Sequence, residues 1–168
     1  MATASPARSN PPPPLVGYRT PMLLAAALKA CALLTAADMT AVMGEAPGKM
    51  RASTPHASIS QCSYALPKSA TSVSVEVTRG APAEQFLDRL RGTAEVEDEE
   101  ADGKEPPAIK PVSGLGEEAF FAVGSGMSGI YVWHHRMLLW VSIENSDTDR
   151  TRLKKLQRLA RRALSHLR

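Results

Sequence analysis

Valine at every second position marks the clearest strand of the chain. In Thr71-Ser-Val-Ser-Val-Glu-Val-Thr78, the side chains Val73, Val75 and Val77 alternate with polar ones, the period of a strand with one face buried and the other turned to water or a partner. Residues 59–66 predict a second strand, Pro67-Lys-Ser-Ala70 the hairpin turn between the two, and residues 49–54 an edge strand ahead of both. Upstream, Thr35 with Asp38 three positions on reads as a capping box. Leu34 and Met39 have staple spacing, and Gly44 stands where a left-handed C-cap belongs. A helix over 36–43 follows from these signals.

A second round begins at Pro82, which suits the first turn of a helix whose apolar stripe is Phe86, Leu87 and Leu90 and which Gly92 is expected to close. Residues 94–105 then carry seven acidic side chains and one lysine. They read as a solvated loop ended by Pro106-Pro107, since the Asp-x-Asp-x-Asp-Gly pattern of a calcium loop is missing. Gly114-Leu-Gly116 predicts a tight turn with Leu115 pointing inward, leading through Glu117 or Glu118 into a strand that ends near Val123. Past a turn through Gly124 and Gly126 come strands over 128–133 and 137–143, with His134-His-Arg136 between them. A closing helix is expected from Ser146 or Asp147, its stripe formed by Leu153, Leu156, Ala160, Ala163, Leu164 and Leu167.

The element order is thus a helix and three strands, given twice, and a final helix. It predicts an α+β fold: an antiparallel sheet with helices packed on one face, built as two helix-plus-three-strand units and a C-terminal helix.

Length and charge refine this picture. A chain of 168 residues with 43% hydrophobic content fits one domain, over residues 31–168, and no apolar run reaches membrane-spanning length. Residues 1–30 read as a leader. Arg8 and Arg19 precede Met22-Leu-Leu-Ala-Ala-Ala-Leu28, and Ala30 stands before Cys31 like the small residue at a cleavage point. Lys29 and the proline run 11–14 make it a degenerate export signal; the other reading is a short helix capped by Thr20 with Pro21 at its first position. The formal net charge of +3 hides an asymmetry, because residues 148–168 hold eight Lys or Arg against one Asp, +7, and leave −4 for the rest.

Candidate chemistry is sparse. Cys31 and Cys62 allow a single intramolecular pairing, which would close a loop of about thirty residues; two buried thiols are the alternative. Lys154, Lys155, Arg158, Arg161 and Arg162 could meet phosphates of nucleic acid or an anionic membrane surface. They read more simply as the solvated face of a core-packed helix, since no aromatic platform is interleaved with them. The adjacent His134 and His135 would face opposite ways in a regular strand and converge only in a turn, where Glu144 or His56 would have to complete a metal site. A polar hairpin tip is the expectation, with no metal. Trp133 and Trp140 are expected across from one another on neighbouring strands, either as packing or as the lining of a ligand groove between sheet and helices. Gly114-Leu-Gly-Glu-Glu lacks the spacing and the Lys-Ser or Lys-Thr pair of a phosphate loop, and no catalytic constellation or cofactor motif is present.

Cys31-Ala-Leu-Leu-Thr35 with Gly44 after it, Cys62-Ser-Tyr64, the alternating valine strand, Val112-Ser-Gly-Leu-Gly-Glu-Glu-Ala119 and the terminal Leu/Ala helix together resemble the small exported domains of unknown function that bacteria make as secreted proteins or lipoproteins. The resemblance covers residues 31–168. It implies export, a periplasmic or secreted location and a disulfide between Cys31 and Cys62, and it implies no activity. The resulting expectation is a monomeric, non-catalytic binding or envelope-associated module whose partner is an envelope protein or a small apolar ligand. A cytoplasmic protein contacting nucleic acid through its last helix is the alternative.

Overall fold

The computed structural model describes residues 29–95, 108–123, 128–144 and 147–167. Residues 1–28 of the leader expected over 1–30, most of the acidic run and the turn through Gly124 and Gly126 lie outside the described residues. After a 3-10 turn at Ala30–Ala32 the chain forms α1 (Ala36–Met43), β1 (Met50–His56), β2 (Ile59–Leu66), β3 (Thr71–Arg79), α2 (Ala81–Glu95), β4 (Ala108–Pro111), β5 (Glu118–Val123), β6 (Ser128–His134), β7 (Met137–Glu144) and α3 (Asp149–His166). The fold is α+β. Seven strands form one antiparallel sheet in the order β1-β2-β3-β7-β6-β5-β4, so two meanders meet at the central β3–β7 pair.

Local chemistry explains the elements. Thr35 accepts the Asp38 N–H at 3.1 Å while the Asp38 carboxylate accepts the Thr35 N–H at 2.9 Å, closing the capping box, and Gly44 ends α1 at φ 84°. In β3, Val73, Val75 and Val77 are buried and the intervening Ser72, Ser74 and Glu76 are not. Two boundaries differ from expectation. The exposed Gly92 does not close α2, which runs on to Glu95. The second round also has one strand more: β4, only four residues long and ending in Pro111, pairs with β5 alone as an edge, which is where proline is tolerated.

The larger core fills one face of the sheet. Leu33, Leu34, Met39 and Val42 from the α1 region, and Leu156, Leu159, Ala160 and Ala163 from α3, cover Tyr64, Val75, Phe121, Ile130, Val132, Leu139 and Val141. Helices on one face therefore describes α1 and α3. The expectation is corrected for α2, which packs Ala83, Leu87 and Leu90 on the opposite face against Phe120 and Leu138. The reason is topological. The first face is already full, and the chain must pass from β3 in mid-sheet to β4 at the far edge. Arg91 pairs with Glu118 of β5 and Arg136 with Glu84 at 2.7 Å, tying α2 down at two points.

Cys31 and Cys62 are joined by a disulfide, 31 positions apart in sequence. It binds the 3-10 turn to β2, alongside a bond from Ala30 N–H to Ser60 Oγ at 3.0 Å. The Tyr64 hydroxyl lies 3.2 Å from Leu34 O and 3.3 Å from Cys31 O, and burial pushes its pKa up to about 12 despite the Leu34 bond. Among the described residues no helix is long and apolar enough to cross a membrane.

Candidate functional site

On its face of the sheet, α2 packs over β4, β5 and β7 and reaches β3, which leaves the β1–β2 end of that face open. A cross-strand row runs over the face, one residue per strand: Ser53, Gln61, Glu76, Trp140, Tyr131 and Phe120. The row is polar on one side and aromatic on the other, and the change falls between Glu76 and Trp140. Gln61 donates to the Glu76 carboxylate, which also accepts from Thr78 Oγ1 at 3.1 Å. The Trp140 and Tyr131 rings stack with centroids 5.8 Å apart and planes 9° from parallel, Phe86 of α2 meets Tyr131 at 5.2 Å, and the Arg89 guanidinium lies 5.0 Å from the Phe86 ring centre. Burial, reinforced by the Glu76 charge, raises the Tyr131 pKa.

Between α2 and this row lies a groove of about 350 Å³ with Phe86, Tyr131, Leu138 and Trp140 as its apolar lining and Glu76 and Arg89 as its charged groups. Past Trp140 it meets a second hollow of about 490 Å³ bordered by Arg51, Gln61, Ser63, Ser74 and Ser142. Trp140 and Glu76 belong to both.

Trp140 owes its position to Gly129. A Cβ built on Gly129 would come 2.2 Å from the indole Nε1, so the ring lies against a strand position that only glycine leaves empty. Gly129→Ala is therefore expected to displace the indole, flattening the near-ultraviolet dichroism of Trp140 at a cost of about 1 kcal/mol, because a side chain yields more easily than backbone. Unchanged near-ultraviolet and fluorescence spectra would contradict that account.

Trp133 and Trp140 share a sheet face but are not opposite each other. Trp133 pairs with Leu138 and Glu118 and packs in the α2 cluster, outside the groove lining. His134 and His135 do converge: the turn places His135 at φ 48° and Arg136 at φ 61°, and the two imidazoles stack with centres 3.9 Å apart. Their acidic neighbour is Glu117. Glu144 lies at the other end of β7 bonded to Ser72, and His56 bonds Ser58 near the β1–β2 turn.

The basic face of α3 is partly committed within the chain. Arg158 donates to Ala41 O at 2.8 Å, satisfying a carbonyl in the last turn of α1. Arg162 pairs with Asp38 at 2.7 Å, Lys155 with Asp147 at 2.6 Å and Arg152 with Asp149 at 2.5 Å. Lys154 and Arg161 are exposed and make no ion pair among the described residues. The helix starts at Asp149, capped by Thr148; Leu156, Ala160 and Ala163 of the expected stripe are buried together with Leu159, while Leu153 and Leu164 are half-buried.

No protein-family model and no curated protein matches the chain. Among solved structures, a GTP binding regulator from Thermotoga maritima is similar over 70% of this chain and 76% of its own, with 11% identity and a TM-score of 0.39.

Proposed function

We propose that this is an exported, non-catalytic binding domain, an accessory module of the cell envelope, that takes a small and largely apolar ligand in the groove between α2 and the open sheet face. The carrying observation is the Trp140 platform: an indole laid over Gly129, stacked on Tyr131 and bordering a groove of about 350 Å³. That volume is in the range of small-molecule sites, which combine apolar walls with a few polar groups that set orientation. Glu76 and Arg89 supply those groups. Export is favoured by the Cys31–Cys62 disulfide, a bond that persists in oxidising compartments. The resemblance of the Cys31, Cys62 and Gly114-Leu-Gly-Glu-Glu segments to small exported bacterial domains supports the same location. Contact with nucleic acid is less favoured, since Arg158 and Arg162 already bind α1.

The reading is tested with N-phenyl-1-naphthylamine as an apolar probe and a Trp133→Phe chain in which Trp140 is the sole indole reporter. One saturable site per chain is expected, with quenching of Trp140 emission. Trp140→Ala should weaken binding by at least about tenfold, as loss of a stacked aromatic anchor does. The reading fails if no saturable binding occurs, or if Trp140→Ala binds the probe as tightly as the parent.

A further inference from the structure

We propose that Glu117, His134 and His135 form a binding site for a divalent transition metal of the zinc and copper class, at the tip of the β6–β7 hairpin. Each side chain offers one donor atom, and the three atoms lie within 4.8 Å of one another. Metal–nitrogen and metal–oxygen bonds of 2.0–2.1 Å in a tetrahedron put donors roughly 3.4 Å apart. Rotation of the exposed Glu117 and His135 side chains closes that gap.

Adjacent residues of a regular strand cannot share an ion, since their side chains leave on opposite faces. Here the strand has ended. The left-handed backbone at His135 and Arg136 turns the second imidazole onto the first. The carboxylate is brought in separately by the loop before β5. Gly116 takes φ 55° and comes so close to β6 that a Cβ would lie 2.4 Å from Trp133 O, and Glu117 N–H donates to that same carbonyl at 2.9 Å. Glu117 Oε1 then accepts the His135 backbone N–H at 2.9 Å, leaving Oε2 as its remaining donor atom.

One further atom points to a missing ligand. His134 Nδ1 is buried and has no hydrogen-bond partner, a state that native structures avoid unless something else binds there; coordination through Nδ1 supplies the partner. Two imidazoles and a carboxylate suit zinc or copper, whereas calcium and magnesium require oxygen ligands throughout. Three protein ligands at an exposed tip leave a fourth position to water. The inference does not rest on the ligand groove.

The test is calorimetric titration of the full chain with zinc chloride. One ion per chain is expected. Glu117→Gln and His135→Ala should each weaken it by more than the roughly tenfold that loss of even an outer-sphere partner costs. His56→Ala and His166→Ala should change nothing. Copper(II) in place of zinc should show an electron paramagnetic resonance spectrum with two coordinated imidazole nitrogens, falling to one in His135→Ala. Should Glu117→Gln disturb the loop, the His135→Ala result decides, since that side chain is exposed. Absence of saturable binding, or equal loss with His56→Ala or His166→Ala, overturns the proposal.

Discussion

Replacing Cys31 and Cys62 together by serine should lower the stability of the domain by about 3 to 4 kcal/mol, the chain-entropy value for a closed loop of this size. The partners are 31 positions apart, so the crosslink removes many conformations from the unfolded chain while adding little to the folded one. The folded unit has other attachments at the same place. Tyr64 reaches the carbonyls of Cys31 and Leu34, and Ser60 accepts the Ala30 N–H. The double serine variant should therefore keep its sheet, judged by far-ultraviolet dichroism, and lose stability chiefly through a more expanded unfolded state. Urea unfolding separates the two contributions: the midpoint should fall and the slope m should rise, because more surface becomes exposed on unfolding. A loss under about 1 kcal/mol with an unchanged slope would show that the disulfide is not the main restraint on this end of the chain.

The elements next to this staple in the chain, α1 and β3, are legible in the sequence because their signals are local. Thr35, Asp38 and Gly44 mark the two ends of α1 within ten residues, and alternation marks β3. Features that depend on distant contacts were not legible. The stripe of Phe86, Leu87 and Leu90 shows that α2 is amphipathic, but not which sheet face it covers; that choice follows from α1 and α3 having filled the other. β4 is too short to show alternation, and its proline argues against a strand unless an edge position is already known. Gly92 is a stop signal that tertiary packing of α2 overrides.

The site shows the same limit. A two-residue turn at His135 and Arg136 pairs His134 with Met137, so Trp140 must face Tyr131 and Trp133 must face Leu138. Reading the two tryptophans as opposite each other implies a different register, which only the turn geometry excludes. Glu117 is not legible as a neighbour of the histidines, because it lies 17 and 18 positions from them in the chain. The visible clue was Gly114-Leu-Gly116, whose second glycine permits the close approach to β6.

The other large effect is expected at Asp38, where α1 and α3 are joined. Only 7% of this residue is exposed, and burial alone would raise its pKa. The N–H and hydroxyl of Thr35 and the Arg162 guanidinium outweigh burial and hold the carboxyl at about 2. His166 Nδ1, bonded to Leu33 O, lies 3.9 Å away. A carboxyl whose folded pKa lies below its unfolded value of about 3.9 stabilises the folded state when ionised. The contribution, about 2 kcal/mol, is therefore complete above roughly pH 5 and is lost as pH falls through 4 towards 2. Asp38→Asn should cost about 2 kcal/mol at pH 7, and the gap to the parent should close on approach to pH 2. Asp38→Ala also removes the acceptor for the Thr35 N–H, the side-chain half of the capping box at the third helical position, and should cost about 1 kcal/mol more. Arg162→Gln should cost under about 1 kcal/mol, because that side chain is 42% exposed and water screens the pair. Urea unfolding of the four chains at pH 7 and pH 3 tests the set. A parent-to-Asn gap that stays constant with pH would mean that Asp38 acts through shape rather than charge, and would remove the carboxylate from the junction of α1 with α3.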